Sequence, residues 1–119
     1  FVEDLAWGSQ GAPIIVSGND NRIFRNTVRK SAGTGIHAGS IRRSQIVYNS
    51  ISDTGRLLLD SGQSGIYICN FCDRPTDKRT LEGGVIAYNY IGLVNTSFVD
   101  NGKGMAIYLD DGTHGAYIH

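Results

Sequence analysis

Ile23-Phe24-Arg25-Asn26-Thr27-Val28 returns as Ile46-Val47-Tyr48-Asn49-Ser50-Ile51 and again as Ile86-Ala87-Tyr88-Asn89-Tyr90-Ile91. Each copy sets an asparagine at a fixed place between two aliphatic residues. A second, shorter element alternates with it along the chain: Ile14-Ile15-Val16, Ile36-His37-Ala38, Ile66-Tyr67-Ile68 and Ile107-Tyr108-Leu109. Ile14 to Ile36 is 22 residues and Ile23 to Ile46 is 23. A repeat of that length is one supersecondary unit, which buries its apolar face only against its neighbours.

Within the short elements apolar positions alternate with variable ones, which is the period of a strand and not of a helix. Asparagine suits a sharp bend, because it tolerates the left-handed backbone region and its amide can bond to the same amide one repeat away. Asn26, Asn49 and Asn89 are therefore expected to form a ladder inside the bend. Strands stacked about 4.8 Å apart would then bury isoleucine on isoleucine and pair every backbone group with the next repeat. The expected fold is all-β: a parallel β-helix, a solenoid of about three complete coils plus part of a fourth.

Composition agrees. The chain has 119 residues, with 16 glycines, 2 prolines and a single methionine, which favours tight turns joining short strands over long helices. Eleven basic residues balance eleven acidic ones. That balance argues against a nucleic-acid partner held by bulk charge. No apolar run approaches the roughly 18 to 20 residues of a membrane span, so no membrane partner is expected. Residues 1–119 are expected to form a single domain, a piece of a longer solenoid. The chain opens Phe1-Val2-Glu3-Asp4 without a signal peptide and stops at Ile118-His119, at the start of an asparagine-bearing element. Uncapped ends imply self-association. Cys69 and Cys72 form one Cys-Asn-Phe-Cys, open to a local disulfide, two idle thiols, a zinc site completed by histidines, or redox chemistry.

The Gly-Ile-Tyr-Ile and Ile-x-x-Asn-x-Ile elements, covering nearly the whole chain from Ile14 on, resemble those of the right-handed parallel β-helix repeat proteins of the pectin-lyase-like class. The resemblance implies that the elements at Ile14, Ile36, Ile66 and Ile107 are first-sheet strands. It implies that the asparagine bend joins the second and third sheets, and that polysaccharide lies along the outer face of the first. Loop lengths fit. From the first-sheet aliphatic to the next one the separations are 9, 10, 20 and 11 residues, so the third coil carries an insertion over Cys69 to Gly84. Insertions in solenoids collect on the binding face.

With Ile36, Ile66 and Ile107 inward, Ile15, His37, Tyr67 and Tyr108 should point outward as one exposed row, followed by Ser17, Gly39, Cys69 and Asp110. The richest local run is Tyr108-Leu109-Asp110-Asp111-Gly112-Thr113-His114. Crowded carboxyls push their titrations apart, giving a proton donor and an ionised partner, and glycosidases use such a pair about 5 Å apart for retention or 6.5 Å and more for inversion. Asp110, Asp111 and His114 are the candidate catalytic residues. His37, Tyr67, Tyr108, Arg42 and Arg43 are the candidate substrate-binding ones. The run is similar to the adjacent Asp pair of polygalacturonases, departing from them in lacking Asn-Thr-Asp and Arg-Ile-Lys and in having Thr-His-Gly where they have Gly-His-Gly. Lyases of this fold use an Arg or Lys base, a place open to Arg42 or Arg43. The bland readings are an Asp-Gly turn, a calcium site at Asp110 and Asp111, outward tyrosines as mere strand formers, and solvated loop arginines. The functional expectation is a polysaccharide-active protein, extracellular or periplasmic, as a fragment or short form of a glycoside hydrolase. A polysaccharide lyase and a non-catalytic glycan-binding, adhesion or self-assembling β-helix are the alternatives.

Overall fold

The computed structural model describes residues 2–3, 11–57, 63–69, 81–95, 104–110, 113 and 115–119. Among these there is no helix. In chain order the strands are β1 (Val2–Glu3), β2 (Ile14–Asn19), β3 (Arg22–Phe24), β4 (Thr27–Arg29), β5 (Ile36–Arg42), β6 (Gln45–Val47), β7 (Ser50–Ser52), β8 (Ser64–Cys69), β9 (Gly84–Ala87), β10 (Tyr90–Ile91), β11 (Met105–Asp110) and β12 (Ala116–Ile118).

These strands make three four-stranded sheets: β2-β5-β8-β11, β3-β6-β9-β12 and β1-β4-β7-β10, here the first, second and third sheets. Every pairing is parallel. The chain visits the sheets in rotation, and one passage through all three is called a circuit below. Strand β1, in the third sheet beside β4, lies outside the repeat that the sequence displays.

Register follows the repeat. Ile14, Ile36, Ile66 and Ile107 are successive partners in the first sheet. Ile23, Ile46, Ile86 and Ile118 follow one another in the second, as do Val2, Val28, Ile51 and Ile91 in the third. A one-residue slip would turn each row to solvent, so the inward rows set the register. Val28, Ile36, Ile41, Ile46, Ile51, Ile66 and Ile68 are wholly buried in the shared core. Each such side chain contributes about 2 kcal/mol by leaving water.

Corners separate the sheets, and their backbone is the chief departure from the sequence reading. At these corners the left-handed residues are Asp20, Arg25 and Lys30 in one circuit and Arg43, Tyr48 and Asp53 in the next, with φ between 44° and 59°; Tyr88 repeats the middle corner at 55°, and Ser40 and Leu81 are left-handed elsewhere. The asparagines are not left-handed; the residue before each one is. An L-residue there costs about 1–2 kcal/mol. The left-handed residue swings outward, and the following asparagine turns its amide inward, where the neighbouring circuit needs partners.

The expected ladder is present. Asn26 N and Nδ2 both donate to Asn49 Oδ1 at 3.0 Å. Asn49 N and Nδ2 donate to Asn89 Oδ1 at 3.0 and 2.9 Å. Asn49 Nδ2 also reaches the carbonyls of Ile23 and Val47, at 3.1 and 3.2 Å. The first corner uses a hydroxyl in the same way, Asn21 N donating to Ser44 Oγ at 3.1 Å. The third corner is less complete: Ser31 Oγ donates to the Thr34 carbonyl at 2.7 Å. Thr54 Oγ1 and both amide atoms of Gln63 are buried without a hydrogen-bond partner.

Leading into the first sheet, Gly35 and Gly65 allow close packing. A Cβ on Gly35 would come within 2.5 Å of Ile51 Cγ2 and 2.6 Å of the Gly65 carbonyl oxygen. The chain can therefore turn from the third sheet into the first without parting the circuits.

Candidate functional site

The outer face of the first sheet assembles much of what the repeat implies. Ile15, His37, Tyr67 and Tyr108 are register partners in that order, and Ser17, Gly39, Cys69 and Asp110 form the next row but one. The His37 and Tyr67 ring centroids are 5.0 Å apart and those of Tyr67 and Tyr108 are 5.3 Å apart, both pairs tilted. Strand spacing alone explains these separations, because same-facing side chains on neighbouring parallel strands stand about one rung apart.

Asp110 gives the row its chemistry. It ends β11, and Tyr67 Oη on β8 donates to Asp110 Oδ2 at 2.9 Å. The Asp110 backbone carbonyl is tied as well, accepting from Thr113 Oγ1 at 2.6 Å and from Thr113 N at 3.2 Å. One side of the carboxylate and the peptide behind it are therefore held in place.

Tyr67 departs from the expected exposed row: it is 4% exposed. The His37 and Tyr108 rings flank it, and its hydroxyl is spent on Asp110, so it supports the row from within. His37, Tyr108 and Asp110 are half-buried.

The two arginines part company. Arg42 ends β5, half-buried. Arg43 occupies the first corner, where its Nε donates to Asp20 Oδ1 at 2.8 Å and its Nη2 to Asp20 Oδ2 at 2.7 Å. That fork lowers the Asp20 carboxyl, chiefly through its hydrogen bond; desolvation opposes this, and the Arg43 charge adds a lesser lowering. The same bond, the Asp20 charge and the nearby Glu82 carboxylate raise Arg43. Arg43 thus links two circuits at a corner.

Asp111, His114 and Cys72 lie outside the described residues, as does most of the insertion between Cys69 and Gly84. Asp110 is the one Asp or Glu on the described first-sheet strands. No group of three or more His, Cys, Asp or Glu side chains able to hold a metal forms among the described residues. Cys69 is disulfide-bonded, which takes it out of thiolate chemistry.

The sequence reading missed a second aromatic row. At the corner between the second and third sheets, Tyr48 and Tyr88 stack at 4.9 Å and 17°. Phe24 meets Tyr48 edge-on at 5.8 Å. His119 meets Tyr88 at 4.5 Å, and Tyr117 lies 5.1 Å from His119. Arg22 and Arg25 place their guanidinium groups 4.4 and 4.8 Å from the Phe24 ring centre. The signal was in the repeat itself: the residue before each ladder asparagine is Arg25, Tyr48 and Tyr88. Stacking of Tyr48 on Tyr88 spends their facing surfaces on each other, leaving fewer faces for a ligand.

Comparison with protein-family models, curated proteins and solved structures finds no match to this chain.

Proposed function

We propose that the three sheets close into a right-handed parallel β-helix of the pectin-lyase-like kind, and that the outer face of its first sheet takes an extended polysaccharide. The observation that carries this reading is the aromatic row ending on a carboxylate held by a phenol, Tyr67 Oη to Asp110 Oδ2 at 2.9 Å. The fixed rotation of strands through three parallel sheets supports the β-helix. His37 and Tyr108 offer ring surface and polar edges to sugar rings, while Asp110 faces hydroxyls or a glycosidic centre.

As a glycoside hydrolase, the protein would use Asp110 as base or nucleophile and a second group close after it in sequence, Asp111 or His114, as proton donor. The separation of the two carboxyls would decide between retention and inversion. One observation favours a second reading, a non-catalytic glycan-binding or adhesive β-helix: the Asp110 carboxylate is hydrogen-bonded by Tyr67 Oη within an aromatic row, an arrangement that serves sugar binding without a chemical step. The disulfide at Cys69 fits an extracellular or periplasmic setting under either reading.

The test uses the 119-residue chain against a panel of neutral and acidic polysaccharides, with and without chelator, following new reducing ends and retardation in affinity gels. Hydrolysis predicts that Asp110→Asn lowers turnover by about 100-fold or more without loss of fold. Retardation without cleavage by the unsubstituted chain would assign the binding role. Cleavage abolished by chelator and restored by calcium would move Asp110 to metal ligation. Neither cleavage nor retardation anywhere on the panel would remove the first-sheet face from consideration.

A further inference from the structure

A separate surface lies on the outside of the third sheet. Val28, Ile51 and Ile91 point inward, so Arg29, Ser52 and Gly92 follow one another on the outer side at successive circuits. Arg29, Lys30, Ser52 and Asp53 line a cleft of about 340 Å³ there. Its charge is set by its neighbours. Asp53 Oδ1 accepts from Asn95 Nδ2 at 3.0 Å, and Asp53 Oδ2 lies 3.7 Å from Arg56 Nε. The one carboxylate lining the cleft is thus shared with a guanidinium and an amide, and Arg29 and Lys30 line the cleft beside it. Glu3 is the register partner of Arg29 on the other side.

Gly92 extends this surface by one circuit. A Cβ at that position would stand 3.3 Å from each of Ser52 Cβ, Tyr90 Cε1 and Tyr90 Oη. The Tyr90 side chain therefore leans across the glycine, in space that any other residue would claim, and it remains 66% exposed. From Gly92 to Arg29 is two rungs, about 9.6 Å at the usual strand spacing. An aromatic platform thus stands about two rungs from a guanidinium, with a serine hydroxyl between them.

We propose that this strip, Tyr90 through Ser52 to Arg29, binds a short anionic saccharide separately from the first-sheet face. One sugar packs on the Tyr90 ring, and the acidic group of a neighbouring unit, carboxylate or sulfate, is held by Arg29 beside Lys30. Carboxylate and sulfate both match the planar fork of arginine. The Tyr90 platform distinguishes the site from a bare anion trap, because inorganic sulfate would gain nothing from it.

The test is NMR titration of the isotopically labelled chain with four probes: a uronic-acid oligosaccharide, its carboxyl-reduced neutral counterpart, a sulfated oligosaccharide, and inorganic sulfate. The proposal expects amide shifts around Arg29, Ser52, Tyr90 and Gly92 with one or both acidic oligosaccharides. Which of the two binds tighter identifies the acidic group. It also expects at least tenfold weaker binding for the reduced sugar and for the Arg29→Ala chain, and at least threefold weaker for Tyr90→Ala. Shifts confined to His37, Tyr108 and Asp110 would overturn it while supporting the first-sheet face. Inorganic sulfate binding as tightly as the sugars, or equal binding of the acidic and reduced oligosaccharides, would overturn it as well.

Discussion

Two aromatic rows run across the strands of this protein, and they are built differently. At the corner between the second and third sheets, Phe24, Tyr48, Tyr88 and His119 stand one per circuit over the asparagine ladder. On the first sheet, His37, Tyr67 and Tyr108 stand one per strand, with similar centroid separations. The first-sheet row and the Tyr48–Tyr88 pair result from repetition, since stacking equivalent positions about one rung apart produces such contacts wherever the repeat tolerates a ring; Phe24, the register partner of Val47, and His119 join the corner from the neighbouring position. A row of rings is therefore no sign of a site. The first-sheet row differs because its repetition breaks: Ser17, Gly39 and Cys69 are followed by Asp110, and the carboxylate is bonded to the adjacent row.

This contrast predicts where stability and function separate. The largest effect is expected from Asn49→Ala. Asn49 is buried, and its removal takes the shared acceptor from Asn26 N and Nδ2 and one donor each from Asn89 Oδ1 and the carbonyls of Ile23 and Val47, while Asn89 Oδ1 keeps the residue-49 backbone N–H and the Val47 carbonyl keeps Arg25 N. A buried unpaired group costs about 1–3 kcal/mol, and partial compensation leaves a net loss of about 3 kcal/mol, read as a shift in the urea unfolding midpoint. Should that chain fail to fold, Asn89→Ala at the half-buried end of the ladder is expected to fold with a smaller loss. A loss below about 1 kcal/mol for Asn49→Ala would mean that the corner asparagines do not hold the circuits in register, and the comparison would fail on its structural side.

The ladder was legible in the sequence because it repeats: three asparagines at one place in the period left few alternatives, and the inward isoleucines fixed which strands must pair. What escaped was whatever one circuit does differently from its neighbours. The left-handed conformation fell on Arg25, Tyr48 and Tyr88 and not on the asparagines, because a buried amide must face the next circuit while the outward residue carries the turn. Burial of Tyr67 was illegible for a similar reason. Alternation assigns it outward correctly, but its exposure depends on His37, Tyr108 and Asp110, which come from other strands. The Arg29 cleft escaped because Arg29, Ser52 and Tyr90 are three different residue types that share no pattern along the chain.

Tyr67→Phe tests the functional side with a smaller change. It keeps the ring between His37 and Tyr108 and removes only the hydroxyl that donates to Asp110. Stability should fall by about 1 kcal/mol, the usual net worth of one hydrogen bond. If Asp110 works on a glycan, turnover or affinity at the first-sheet face should fall more than that loss of fold explains. The loss should appear without any change in direct sugar contacts, because Tyr67 positions Asp110 and does not touch the sugar. Equal losses in stability and activity would reduce the bond to packing and make this row the equivalent of the corner row.

The smallest effect belongs to the outer layer of the corners, the Asp20–Arg43 pair. Its hydrogen bond to Arg43 lowers the Asp20 carboxyl in the folded chain, so the folded state binds fewer protons there than the unfolded chain, whose aspartates titrate at about 3.9. Whatever stability the pair contributes is therefore fully present above that pH and lost as pH falls through the lowered folded value. Arg43 moves upward and stays protonated throughout this window, so only the carboxylate titrates. Both side chains are more than half exposed, and exposed pairs contribute little, so the stability change across this window should be slight beside that of Asn49→Ala. The clean readout is the Asp20 side-chain carboxyl carbon followed by NMR from pH 6 to 2. Its midpoint should lie below 3.9 and return toward it in Arg43→Ala. A midpoint at or above 3.9 in the unsubstituted chain would show that the fork is not held in solution, leaving Arg43 open to act at the neighbouring first-sheet face after all.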